Sequence, residues 1–182
     1  MIRFILVTSI LAELSAALAV VFSMRFPVRR IWPPDPPAAW KRLLMGFLFL
    51  YPSAGIGILG GMSWGGWAIP GWIRFLVGIP LLSGGAALFL WAAAVLGFAQ
   101  TFGGSGTLIR TGPFRFSRNP QYVGCLVMLI GWSILSASKA AAAASLFGFP
   151  PLLLVPFAEE TWLGEQFGPI YAEYRRRVPR FL

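Results

Sequence analysis

The amino-acid sequence predicts an all-α integral membrane protein with about five transmembrane helices and a C-terminal interfacial helix on the cytoplasmic side. Three observations carry this. Of the 182 residues, 57% are hydrophobic and only 12% charged, and the mean hydropathy is +0.73. A soluble domain averages about 45–50% apolar and about 25% charged residues, so this chain lacks the side chains to cover a water-facing surface. This composition speaks against a soluble enzyme, a disordered tail and a collagen-like rod. Second, apolar runs reach the roughly 20 residues that cross a bilayer. Third, those runs separate the basic residues, so the formal charge of +9 and pI ≈ 11.1 speak of membrane topology rather than of nucleic-acid binding.

The first span runs near Ile2–Met24. Arg3 and the small residues near Ala16–Ala19 also suit a signal peptide, but the apolar stretch is long for one, and Arg25–Arg30 follows it like a stop-transfer flank. The second and third spans are Leu43–Met62 and Ile73–Ala99. The fourth and fifth lie in Tyr122–Ala137 and Ala140–Phe157, separated only by Ser138-Lys139, which reads as a tight helical hairpin. With the N-terminus outside, the outer side holds only Arg3, Arg74 and Lys139, and all other basic residues fall inside. The positive-inside rule then puts the C-terminus and any active site on the cytoplasmic side of an inner or plasma membrane. The chain divides into membrane helices over residues 1–99 and a C-terminal part over 100–182 that holds the long polar segments.

Smaller features follow in order. Pro33-Pro34-Asp35-Pro36-Pro37 reads as a stiff linker. Gly57, Gly61 and Gly65 have the spacing that lets helices approach closely, here within the monomer. Glu13 is the only acidic residue inside a span, where a charge is paired or functional. The single cysteine, Cys125, allows no intrachain disulfide, and the absence of histidine removes the commonest general base and metal ligand. A Ser-His-Asp triad, a zinc site and histidine-ligated haem are excluded, and no metal site is expected.

Two polar segments hold the candidate chemistry. In Thr111–Gly124, Gly112-Pro113 and Asn119-Pro120 are turn signals. Pro120 suits the first turn of the fourth helix and Asn119 its N-cap. The free N–H groups of that helix start, with Arg115 and Arg118, form an anion site; an ordinary basic loop against lipid phosphates accounts for the same residues. In Glu159–Phe181, two adjacent carboxylates follow the membrane exit. Phe167, Ile170, Tyr171 and Tyr174 make one apolar helical face, and Glu173 can pair with Arg177. For Arg175, Arg176 and Arg177 an interfacial helix held by anionic lipid suffices. The hairpin returns the chain to the same membrane face, so the two segments become neighbours.

The run Gly112-Pro113-Phe114-Arg115-Phe116-Ser117-Arg118-Asn119-Pro120-Gln121-Tyr122-Val123-Gly124, followed by Glu159-Glu160, Phe167-Gly168, Tyr171, Tyr174 and Val178-Pro179-Arg180-Phe181, resembles the membrane methyltransferase superfamily. That group includes isoprenylcysteine carboxyl methyltransferases and phospholipid N-methyltransferases. The resemblance covers about the last 80 residues of the sequence. It implies methyl transfer from S-adenosylmethionine, leaving S-adenosylhomocysteine, in a cytosol-facing pocket. By analogy Arg118, Asn119, Tyr122 and Gly124 fall on the first cofactor motif and Glu159 and Glu160 on the second, while Gly104-Ser105-Gly106 could line the pocket. Asn119 stands where many carboxyl methyltransferases have histidine, which favours a phospholipid amine acceptor over an isoprenylcysteine-like carboxylate or thiol. The resemblance then implies that Arg118 suits the donor's carboxylate, Glu160 its ribose and Glu159 the cation or incoming amine. Tyr122 and Tyr171 would face the sulfonium. Glu159, Glu160 or a tyrosine would take the amine's proton. Arg115, Tyr174, Arg175 and Arg176 are the candidate acceptor-binding residues, arginine suiting phosphate. Sterol reductases have a similar C-terminal membrane architecture, so a nicotinamide-dependent reductase is a further reading, as is a non-catalytic protein with a degenerate site.

Overall fold

A computed structural model describes residues 1–34, 38–104 and 106–182. Asp35, Pro36 and Pro37 of the Pro-rich linker and Ser105 of the glycine pair lie outside the described residues. Five long helices carry the fold: α1 (Ile2–Arg25), α2 (Ala39–Met62), α3 (Gly71–Leu96), α4 (Pro120–Ser136) and α5 (Lys139–Arg177). Four are long and apolar enough to cross a membrane, and α4 is a shorter apolar helix. Each of the five expected spans is thus found as an apolar helix, the fourth being the shorter α4.

Local chemistry sets the boundaries. Hydroxyls within the helices return to carbonyls one turn back, as Ser15 does to Leu11 and Ser23 to Ala19 at 2.7 Å each, so they do not break the apolar helix. Gly97, at φ 87°, stops α3 three residues short of the expected end. At the hairpin, Ala137 takes the left-handed conformation and the Ser138 hydroxyl accepts from Ala141 N at 3.0 Å, capping α5. The helix of the fifth span does not end at Phe157 but continues to Phe167. Gly168, at φ 50° and ψ −125°, is non-helical and divides it from a short C-terminal helix that ends at Arg177. Residues 139–157 span about 28 Å at 1.5 Å per residue, the thickness of the hydrocarbon core, so the stretch from Ala158 onward lies beyond the spanning part.

α1, α2 and α5 pack on one another through Ala12, Ala16, Val20, Met45, Leu48, Val155 and Ala158. α1 is thus an integral part of the bundle core. α3 packs chiefly on α4, and small residues set the distance. A Cβ on Gly85 would lie 2.7 Å from the Gly124 carbonyl, one on Gly124 2.7 Å from the Gly85 carbonyl, and one on Gly131 2.4 Å from Leu82 N. The glycines singled out by spacing do not do this work: Gly57 and Gly61 have nothing within 4 Å of an added Cβ. They face away from the neighbouring helices, because close packing follows which face of a helix is covered and not spacing alone. α2 and α3 barely touch, and residues of both line a large apolar cavity.

Candidate functional site

The ends of α1, α2, α3 and α4 that meet α5 beyond Phe157 form the polar end of the bundle. Pro120 opens α4 there, and its missing N–H is no loss in a first turn. Asn119 occupies the N-cap position, but its side chain does not cap the helix. Its amide instead donates to the Arg180 carbonyl at 3.0 Å. Arg118 N donates to the Pro179 carbonyl at 2.9 Å. The C-terminal tail is thereby stitched onto the turn before α4.

The stitching brings three charges together. Glu160, 6% exposed, receives Arg180 Nε and Nη2 at 2.8 and 2.9 Å and Arg118 Nη1 at 3.0 Å. The Arg180 guanidinium also stacks on the Phe157 ring at 3.7 Å, and its bond to Glu160 raises its already high pKa. Arg118 Nη1 further donates to Tyr171 Oη at 3.4 Å. Burial and the Glu160 charge push the Tyr171 hydroxyl up to about 12 against the pull of Arg118. Tyr174 donates to the Phe114 carbonyl at 2.7 Å, and burial raises its pKa further.

Glu159 has a different environment. Tyr122 Oη and Trp32 Nε1 both donate to its Oε1, at 2.6 and 2.7 Å. Its Oε2 takes no hydrogen bond from a described residue. Burial raises its pKa, the two hydrogen bonds lower it and the Glu160 charge raises it; the outcome is about 7. Trp32 is held by the Ser23 hydroxyl at the end of α1, which accepts from Ile31 N at 2.9 Å and Trp32 N at 3.1 Å. Gly103, at φ 75°, lets the chain pass where a Cβ would lie 2.6 Å from the Trp32 ring.

Two cavities meet here. A polar one of about 110 Å³ is lined by Gly104, Gly106, Arg118, Asn119, Tyr122, Glu159, Tyr171 and Tyr174, with Trp162 and Phe167 at its side. An apolar one of about 420 Å³ runs up α2 and α4 from Arg42 and Trp32 past Cys125 and Met128 to Glu13 and Trp132. Thr101, Gln121 and Tyr122 border both. Most of the residues expected at a site are therefore in one place. Gly124 is not among them: it sits in the α3–α4 crossing. Glu160 is turned into the arginine pair and does not line either cavity. Arg115, Arg175 and Arg176 are exposed and also lie outside both cavities. Arg177 pairs with Glu173 at 2.6 Å as the spacing requires.

Sequence reasoning missed Trp32, which no local signal marks, and it gave Arg180 a place in the family motif but no role at the site. It also missed Arg42, exposed where the apolar cavity opens toward the polar end.

The profile of the phospholipid methyltransferase family matches residues 73–170, just over half of the chain. Steroid 5-alpha-reductase DET2 of Solanum lycopersicum is 29% identical over 111 residues, covering 61% of this chain and 43% of that protein. The cobalt-zinc-cadmium resistance protein CzcN of Cupriavidus metallidurans is 30% identical over 129 residues, covering 68% of this chain and 55% of that protein. The chain spans about half the length of these curated relatives. No solved structure matches it.

Proposed function

The chain belongs to the phospholipid methyltransferase family, and from that premise we propose that it moves a methyl group from S-adenosylmethionine to an amine on a membrane amphiphile, the class that includes phospholipid ethanolamine headgroups. One observation carries the reading: a polar cavity and a membrane-level apolar cavity share the wall Thr101–Gln121–Tyr122, with Glu159 beside it. The residues fit the donor. Arg118 Nε is buried with no partner among the described residues, a donor suited to a carboxylate, and the open Oε2 of Glu159 suits a cation. When bound, the cofactor supplies an electrophilic methyl group on a sulfonium.

The chain's own residues then do the following. Arg118 Nε and the first N–H groups of α4 hold the amino-acid carboxylate. Trp162 and Phe167 flank the slot with flat apolar surface. Tyr122 and Trp32 fix Glu159 so that Oε2 faces the incoming amine and takes its proton at that atom. The apolar cavity holds the acceptor's hydrocarbon and keeps water from the reacting atoms, so positioning supplies much of the rate. Glu160 acts through Arg118 as a positioning residue. An uncompensated carboxylate at the junction attracts an ammonium and repels a carboxylate, which favours an amine over an isoprenylcysteine-like acceptor. The charge asymmetry of the sequence supports a cytoplasmic polar end, and Trp32 ties the N-terminal helices to a site otherwise built from residues 100–182.

Likeness to a steroid reductase favours one other reading, a nicotinamide cofactor in the same slot. Calorimetry of detergent-purified protein with S-adenosylhomocysteine and with NADPH separates the two. Micromolar binding of the first supports methyl transfer, and binding of NADPH alone overturns it. Mass spectrometry of lipid extracts from expressing cells then tests for methylated amines.

A further inference from the structure

We propose that Glu13 is the distal anchor for the acceptor, and that the apolar cavity takes a compact amphiphile carrying a hydrogen-bond donor about 10 Å from the atom that receives the methyl group. This rests on the methyltransferase reading above.

Glu13 lies near the middle of α1, 5% exposed, and borders the apolar cavity. Among the described residues its carboxyl makes no hydrogen bond and no ion pair. An unpaired carboxyl in an apolar interior is unfavourable, and ionisable groups at membrane depth are found paired or functional. Among the described residues the only basic one bordering the cavity, Arg42, is at its other end. A Cβ on Gly148 would lie 3.1 Å from Glu13 Oε1 and 3.2 Å from Leu129 Cδ1, so the carboxyl sits level with Leu129 on α4. Tyr122, at the junction with the polar cavity, is two turns earlier on the same helix, about 10 Å along its axis.

The cavity is therefore a slot with a polar group at each end and hydrocarbon between: Tyr122 and Glu159 at the transfer end, Glu13 at the other. Its volume of about 420 Å³ lies within the range of small-molecule sites, about 300–1,000 Å³. A two-chain phospholipid places only methylenes at the depth of Glu13 and leaves the carboxyl unpaired. An amphiphile with a hydroxyl or second amine at that depth satisfies it. The predicted specificity is large, because a site built to bond a polar group rejects the analogue that lacks it.

The test compares octylamine with 8-amino-1-octanol, whose chain sets the two polar ends at about this separation, by calorimetry on the purified protein saturated with S-adenosylhomocysteine. The hydroxylated compound should bind wild type at least tenfold more tightly. Glu13→Leu should erase that difference while leaving S-adenosylhomocysteine affinity unchanged, and Glu13→Gln should keep part of it. Equal affinity of the two compounds on wild type, no binding of either, or a preference that survives Glu13→Leu overturns the proposal. So does methylation of phosphatidylethanolamine with a KM that Glu13→Leu does not change. If S-adenosylhomocysteine itself does not bind, the methyltransferase reading falls with it, and that outcome is distinct from the others.

Discussion

Replacing Glu160 by glutamine separates two roles that a carboxylate at this position can play. If it clasps the ribose of the cofactor, the change weakens ligand binding and leaves the fold intact. The geometry instead makes it the centre of a charge triad, with Arg118 at 3.0 Å and Arg180 at 2.8 Å. Neutralising it removes the charge opposite the Arg118 side chain, 8% exposed, whose other side-chain hydrogen bond among the described residues is the long 3.4 Å one to Tyr171 Oη. Breaking a buried pair from one side costs about 3–5 kcal/mol. The Arg180 arm is 32% exposed and adds no more than about 1 kcal/mol. Taking about 3 kcal/mol, and about 2–4 °C per kcal/mol for a chain of this size, the unfolding midpoint should fall by roughly 6–12 °C. The assay is intrinsic tryptophan fluorescence against temperature in detergent, with and without S-adenosylhomocysteine. Arg118→Gln combined with Glu160→Gln should cost less than the sum of the single changes, since the two share one interaction. A Glu160→Gln protein that unfolds within about 2 °C of wild type yet no longer binds S-adenosylhomocysteine would refute the charge-triad role.

Three further predictions follow. Glu159, with a pKa near 7, is protonated below that value, so methyl transfer should rise about tenfold per pH unit below 7 and level off above it, and Glu159→Gln should abolish the rise. Because the folded pKa lies above the unfolded one, the native state binds the extra proton between about 4.5 and 7. Stability from this group is thus full below 4.5 and lost as pH rises through 7, and Glu159→Gln should unfold at a higher temperature than wild type at pH 8. Trp32→Phe removes a hydrogen bond that lowers the Glu159 pKa, so its pH–rate midpoint should move upward; an unchanged midpoint refutes the role given to Trp32. Gly85→Val places a branched side chain where even a Cβ meets the Gly124 backbone at 2.7 Å, and should lower stability by about 1–3 kcal/mol or more, read as a drop in the unfolding midpoint.

Much of this architecture is legible in the sequence because bilayer physics is one-dimensional. A run of apolar residues long enough to cross hydrocarbon has to be a helix, since no water is present to satisfy an open backbone. The spans, the Ser138-Lys139 turn and the meeting of the Arg118 and Glu159 segments followed from that alone. Side-chain direction did not. Glu159 and Glu160 are adjacent, so a helix points them about 100° apart: one reaches Trp32 and the cavity, the other the arginines. Gly57 and Gly61 have the spacing of a packing face but lie on an open one, whereas Gly85 and Gly124, with no mutual pattern in the sequence, meet at a crossing.

The sequence by itself determined that the chain is a helical membrane protein, where its apolar helices lie, and which residue types gather at its polar end. Only the tertiary structure decided which carboxylate faces the cavity, that Trp32 and Arg180 complete the site, and that Glu13 closes a second cavity. The reason is range. Burial of apolar length and backbone hydrogen bonding are local, and a sequence states them directly. The pairing of Trp32 with Glu159 joins residues 127 positions apart, and such a contact exists only once the helices are packed.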